Sequence, residues 1–249
     1  MHTQNLPASR AMSYYVERWF IPFSALVRRS GGTPGQVRDL LQAGATAGVV
    51  YSEDHDGTWW SALGGFVGKM PPAPPANGVH WYAPASIYWL RRGLLFLREG
   101  LTPPQAAAAN LETFKLQFSH ALASEPLARF NYPDAFTGQD IDPAGAQSAA
   151  AREWAAWISG AYAVCLSSFT GQSCVIKESV GRFLRTQSDN RDKCVSDLQM
   201  LDCVERLSAW LMPFAPSERS SGTPGIAIDR VITEMRLGCE EPYGSPDDA

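Results

Sequence analysis

The sequence contains no C-x-x-C pair, no H-E-x-x-H, no G-x-S-x-G, no Walker-type G-K-[ST] and no G-x-G-x-x-G after a strand pattern. Nucleotide cradles, zincin chemistry and the common hydrolase arrangements therefore have no support in the pattern, and it implies no cofactor. Histidine is scarce: His2, His55, His80 and His120 all lie upstream of the five cysteines. Those cysteines, Cys165, Cys174, Cys194, Cys203 and Cys239, are odd in number and confined to the last third, which fits reduced thiols better than a disulfide framework or a zinc site. Long hydrophobic runs are also missing. The most apolar early stretch, Trp19 to Val27, spans nine residues and includes Pro22, and Met1 to Arg10 has no apolar segment. The expectation is a cytoplasmic protein without a membrane partner.

Charge is modest at 18% of residues and unevenly spread. Residues 1–100 carry a net +3 and residues 101–249 a net −7. The positive part is less dense than a phosphate-neutralising stripe, so nucleic-acid binding is allowed without being announced. Against these absences stand 45% hydrophobic residues, 11% aromatics and 8 Trp in 249 residues, enough for a large aromatic core.

Thr33-Pro34, Thr102-Pro103 and Thr223-Pro224 each read as a helix entry, with a Thr cap and Pro at the first helical position. Gln36 and Gln105 complete capping boxes at the first two, and Asp142-Pro143 is a fourth entry. Leu111, Phe114, Phe118 and Leu122 recur at helical spacing, giving a helix of about five turns. Cys194, Leu198, Leu201, Val204, Leu207 and Leu211 form a second stripe closed by Pro213. Ile228, Val231, Ile232 and Met235 form a third, ending at Gly238. Residues 45–83, rich in Gly, Trp and β-branched side chains and carrying Pro71–Pro75, read as a small hairpin or wing followed by a loop. Glu53-Asp54-His55-Asp56 before Gly57 has the character of a polar hairpin tip, not of a complete metal site.

Ile21 to Gly44 has the parts of a helix-turn-helix: a short helix, the Gly31-Gly32 turn and a capped second helix. In order, it resembles the N-terminal unit of MerR-type winged-helix regulators. The resemblance continues through His80-Trp-Tyr-Ala-Pro-Ala-Ser-Ile-Tyr-Trp-Leu90 and Leu94 to Gly100, and covers roughly residues 14–122. It implies a DNA-binding surface that includes Arg28, Arg29, Gln36, Arg38, Arg91 and Arg92. The second helix offers few base-reading groups, however: Gln36, Arg38 and Gln42, with Asp39 among them.

The run Trp154-Ala-Ala-Trp157-Ile-Ser-Gly160-Ala-Tyr162-Ala-Val-Cys165, followed by Lys177-Glu178, is the most distinctive in the chain. With the helix-turn-helix ahead of it, the chain resembles an uncharacterised family of accessory proteins in bacterial natural-product biosynthesis. That resemblance implies a setting, with a metabolite or a biosynthetic enzyme or carrier protein as partner, and no reaction. By spacing, Trp154, Trp157 and Ala161 share a helix face that Cys165 continues. One reading is an aromatic pocket walled by Trp154, Trp157 and Tyr162, with Cys165 as nucleophile and Lys177 as its charge partner. The other is ordinary core with a buried thiol. Lys177 and Glu178 are candidate catalytic residues, as an acid/base or anion-binding pair, but adjacent residues point to different helix faces, so the favoured reading is an unpaired, solvated surface. His120 is a candidate general base off the apolar stripe of its helix.

The expected fold class is mainly α, with a MerR-like winged-helix lobe over 1–125, a helical lobe over 126–238 and a disordered acidic tail over 239–249. The expected function is action on, or binding of, an intermediate of specialised-metabolite biosynthesis. The alternative is a metabolite-sensing DNA-binding regulator, acting as a homodimer.

Overall fold

The computed structural model describes residues 8–64, 73–190 and 195–239. Cys194, Pro71-Pro72 and the expected acidic tail from residue 240 lie outside the described residues. The fold is mainly α, as the periodicity predicts.

Helix α1 (Ala8–Trp19) leads into β1 (Ile21–Pro22), α2 (Phe23–Ser30) and α3 (Pro34–Gln42). Gly31 ends α2 at φ +81°, a left-handed conformation that glycine adopts without cost, and Thr33 starts α3. The capping box forms: Gln36 N–H donates to Thr33 Oγ1 at 3.3 Å, and Thr33 N–H donates to Gln36 Oε1 at 3.0 Å. Strands β2 (Tyr51–Glu53), β3 (Trp59–Ser61) and β4 (Val79–Tyr82) join β1 in an antiparallel sheet of order β1-β4-β2-β3. The β2–β3 tip is the expected polar turn, with Asp54 Oδ1 accepting from the N–H groups of Asp56 and Thr58. Asp54, His55 and Asp56 cluster there, and the turn accounts for them.

Helices α4 (Ser86–Arg98) and α5 (Pro103–Ser124) follow. Phe114, Phe118 and Leu122 bury the expected stripe of α5, while Leu111 packs at its edge. A short helix α6 (Ala128–Asn131) and the hairpin β5 (Phe136–Thr137)–β6 (Asp140–Ile141) bring the chain to α7 (Pro143–Ile158), where Asp142 accepts from Gly145 N–H at 2.7 Å. Then come α8 (Ala161–Cys165), α9 (Gly171–Asp189), α10 (Asp197–Ser208), α11 (Pro216–Arg219) and α12 (Arg230–Cys239).

One stripe and one helix entry depart from the sequence reading. In α10 the buried face is Met200, Cys203, Val204 and Leu207, while Leu198 is 77% and Leu201 47% exposed. The sequence stripe mixes two neighbouring faces of the helix. Thr223 is no N-cap: it is buried in helical conformation and its side chain makes no cap hydrogen bond, because a π-helical turn, Pro224–Asp229, runs directly into α12.

The main core is continuous from Tyr15 and Val16 of α1, through Tyr51 and Trp60 of the sheet, to Phe214 and Ala215, so it crosses the junction at residue 125. A smaller core joins α2, α3 and α4, and another joins α9, α10 and α12. Helices α5 and α9 come close at Gly171, where a Cβ would lie 2.3 Å from the backbone of Gln117 and Phe118. Only a residue without a side chain permits that crossing, which sets α9 and its Lys177 deep against the core.

Candidate functional site

The aromatic residues singled out in sequence form a packed stack, with Phe169 at its centre. Trp157 stacks on Phe169 at 4.4 Å between centroids and 4° between planes, and Phe114 covers the other side at 4.8 Å and 11°. Trp154 meets Trp89 edge-on at 4.8 Å. Trp157 is fully buried and Trp154 nearly so. The two indoles are core, and their contribution is position: the stack walls one side of the polar cluster described next.

Helix α7 stops at Ile158 because Gly160 takes φ +90°, where a Cβ would also lie 2.7 Å from that of Ala62. The expected single face from Trp154 to Cys165 is therefore broken, and α8 turns Tyr162 and Cys165 toward α9. Cys165 is buried, and its thiol donates to Ala161 O at 3.1 Å. Burial pushes that thiol up to about 11; Lys177 opposes the rise, and the charges of Glu178 and Glu218 add to it. A thiol held protonated in this way is a poor nucleophile at neutral pH. Cys174, on α9, is likewise pushed up, first by burial and then by Glu153 and Glu178.

Lys177 is only 8% exposed. Its Nζ pairs with Glu178 Oε1 and lies 4.4 Å from the centre of the Tyr162 ring, a cation over an aromatic face. This corrects the expectation of an unpaired, solvated Lys177-Glu178 surface. The face of α9 carrying them is turned inward, and both side chains are long enough to bend toward each other across one helical step. The Tyr162 hydroxyl lies 2.8 Å from Glu178 Oε1 and also touches Glu153 Oε2. Tyr132, which follows α6, is buried beside Glu153, Glu178 and Cys174.

The two carboxyls are driven apart. Burial raises Glu153, and the negative charge of Glu178 adds to that, outweighing the hydrogen bond from Tyr162. Burial would raise Glu178 too, but the Lys177 ammonium overrides it and holds Glu178 below the usual carboxylate range. Lys177 is raised despite its burial, because Glu178 stabilises the ammonium. Two carboxyls pushed in opposite directions beside one lysine and one phenol are the setting in which enzymes assign acid and base roles.

A second polar cluster adjoins the first through Cys165. Glu218 of α11 accepts from the hydroxyls of Tyr51 on β2 and Ser61 on β3, each at 2.6 Å. Tyr15 of α1 packs edge-on to Tyr51 at 6.0 Å, and its hydroxyl is raised by burial and by Glu218. Sequence reasoning missed Glu153, Tyr132, Phe169 and Glu218. Glu153 alone left a local signal: with Arg152, it is the only charge in the Ala- and Trp-rich α7.

The other candidates lie elsewhere. His120 is exposed on α5 and lines a surface cavity of about 470 Å³ with Gln117, Ser124, Thr170 and Gln172; it shares no hydrogen bond or ion pair with Lys177, Glu178 or Cys165. Arg28, Arg29, Arg38 and Arg91 are exposed, and Arg91 donates through Nε and Nη2 to Arg29 O. Arg38 lies over the Phe23 ring, with Nε on Pro34 O. Arg92 turns away to Thr113 Oγ1 at 2.8 Å and lies over Tyr88 and Phe96, and Gln36 is held by its capping box. The arginines thus do not share one surface, because Arg92 occupies the α4 face that packs on α5.

Residues 111–236 match the model of a family of unknown function, DUF6058. The chain belongs to this family. No curated protein and no solved structure matches it. The DUF6058 span holds Glu153, Tyr162, Cys165, Lys177, Glu178 and Glu218, whereas Tyr51, Ser61 and the arginines of α2–α4 precede it. No helix among the described residues is long and apolar enough to cross a membrane.

Proposed function

We propose that the protein acts in specialised-metabolite biosynthesis, binding a small biosynthetic intermediate and acting on it at the Glu153–Tyr162–Glu178–Lys177 cluster. The observation that carries this reading is the cluster itself: a buried ammonium and two carboxyls that share one phenol beside an aromatic stack. Against apolar residues of equal volume, such an ion pair gains little or no folding energy, so stability alone is a weak reason for it. The biosynthetic setting rests on the sequence resemblance, and a cytoplasmic location on the odd number and unpaired spacing of the cysteines. Cys165 serves here as a buried neighbour, not as the nucleophile.

The test incubates wild-type, Lys177→Met and Glu153→Gln proteins, each checked for folding by circular dichroism, with small-molecule extracts of natural-product-producing bacteria. Mass spectrometry then follows which compounds are retained or altered. Wild type should retain or alter a compound that both variants leave untouched. Identical profiles for all three would refute the assignment.

A second reading, a DNA-binding regulator, is favoured by the capped α3 and the exposed Arg28, Arg29, Arg38 and Arg91, with Arg38 lining one cavity with Val79, His80 and Tyr82. It predicts anisotropy of a labelled duplex that rises at about 50 mM salt and collapses at about 200 mM. Unchanged anisotropy at the lower salt excludes it.

A further inference from the structure

The Tyr162 hydroxyl meets Glu153 Oε2 on one side and Glu178 Oε1 on the other. A phenol has one hydrogen to give, and an ionised carboxylate has none. Both contacts are hydrogen bonds only if one of the two carboxyls carries a proton. The Lys177 ammonium decides which, because it pairs with Glu178 Oε1. The anion therefore sits on Glu178, and the remaining proton sits on Glu153.

We infer that Glu153 is held as a carboxylic acid that donates to Tyr162, while Tyr162 donates to Glu178, and that Glu153 is the proton donor to the small molecule. The ligand class follows: a molecule with a basic oxygen or nitrogen, such as a carbonyl or an imine. This deepens the proposed function and rests on it for the identity of the site, but not for the protonation of Glu153.

Polar and titratable groups face Glu153 from several elements. Tyr132 faces it from beyond α6, Tyr162 from α8, and Cys174, Lys177 and Glu178 from α9; Arg185, further along α9, acts on Glu178. Burial and the Glu178 charge favour the neutral acid, Tyr162, Tyr132 and Lys177 oppose it, and the net shift of Glu153 is upward. In the transfer, the Glu153 O–H bond breaks as a new O–H or N–H bond to the ligand forms, and the electron pair stays on Glu153. Tyr162 then swings its hydroxyl from Glu178 to the new carboxylate, and Glu178 keeps its Lys177 partner. The phenol is thus a rotor serving whichever carboxyl has lost most support, and water returns the proton to Glu153 after product leaves.

Infrared spectroscopy of the full chain, grown with carbonyl-labelled glutamate, tests this directly. Wild type at pH about 7 should show the C=O stretch of a protonated carboxylic acid, and Glu153→Gln should lack it. In Glu178→Gln, the like charge is gone and Tyr162 is free to donate to Glu153, so the band should vanish at a pH at least about one unit lower than in wild type. No acid band in wild type, the same band in Glu153→Gln, or an unchanged midpoint in Glu178→Gln overturns the inference. Should Glu153→Gln fail to fold, the Glu178→Gln midpoint decides. An acid band without any retained or altered compound would refute the proposed function and leave the protonated Glu153 standing; the reverse pair of results would refute the acid alone.

Discussion

Replacing Lys177 with Met keeps most of the aliphatic stem and removes the ammonium. In the native structure the Lys177 and Glu178 side chains are 9% and 20% exposed, so the lost partner leaves a mostly buried carboxylate uncompensated. Breaking a fully buried pair costs about 3–5 kcal/mol; the residual exposure of Glu178 lets water recover part of this, giving about 2–4 kcal/mol. The loss of the ammonium over Tyr162 falls within that range. The double variant Lys177→Met, Glu178→Leu removes both charges, and Tyr162 keeps Glu153 as a hydrogen-bond partner, so stability should return to within about 1 kcal/mol of wild type. Urea denaturation followed by Trp fluorescence measures both, with circular dichroism as the second probe that checks two-state behaviour. A single variant within about 0.5 kcal/mol of wild type would mean that the pair does not form, and a double variant as unstable as the single would mean that packing, not charge, explains the loss.

Three further outcomes follow from the geometry. Phe169→Ala should cost about 3–5 kcal/mol by chemical denaturation, since it empties the centre of the Phe114–Phe169–Trp157 stack; a loss under about 1 kcal/mol would contradict that packing. Gly171→Ala should cost about 1–3 kcal/mol or more, because the new methyl meets α5 backbone that cannot yield without parting two helices; an unchanged denaturation midpoint would contradict the crossing. Cys165 has a folded-state value raised from 9.0 to about 11, so its contribution is fully present below the unfolded value and is lost as pH rises through that window. Stability of wild type should therefore fall by about 2–3 kcal/mol more than that of Cys165→Ala over the same pH range, and parallel curves would contradict it.

Local signals survived into the structure, and non-local ones did not. Thr33 and Asp142 cap helices as their sequences predict, since a cap needs only residues three apart. The Phe114, Phe118 and Leu122 face is buried for a similar reason: period 3.6 is set within one helix. Thr223-Pro224 carried the same signature and failed, because the buried π-helical turn after it absorbed the Thr into helix. Trp154 and Trp157 were legible as a shared face, but whether they wall a pocket or fill a core depended on Phe169, Phe114 and Trp89, which no spacing connects. By spacing Lys177 and Glu178 diverge, but helical geometry fixes Cβ directions, not the reach of long side chains. Glu153 escaped because its partners lie 9 and 25 residues onward, at Tyr162 and Glu178, across the break at Gly160. The link from Glu218 to Tyr51, 167 residues apart, has no sequence signature at all.

Glu153, Tyr162, Glu178 and Lys177 are proposed as a site for a small molecule. Native mass spectrometry of the full chain after exposure to a natural-product extract tests it most directly, with Glu153→Gln run alongside. The account predicts a bound or altered small molecule with wild type that is lost in the variant, while the folded charge-state distribution is unchanged. A molecule held equally by both proteins, or none held or altered by either, would contradict it.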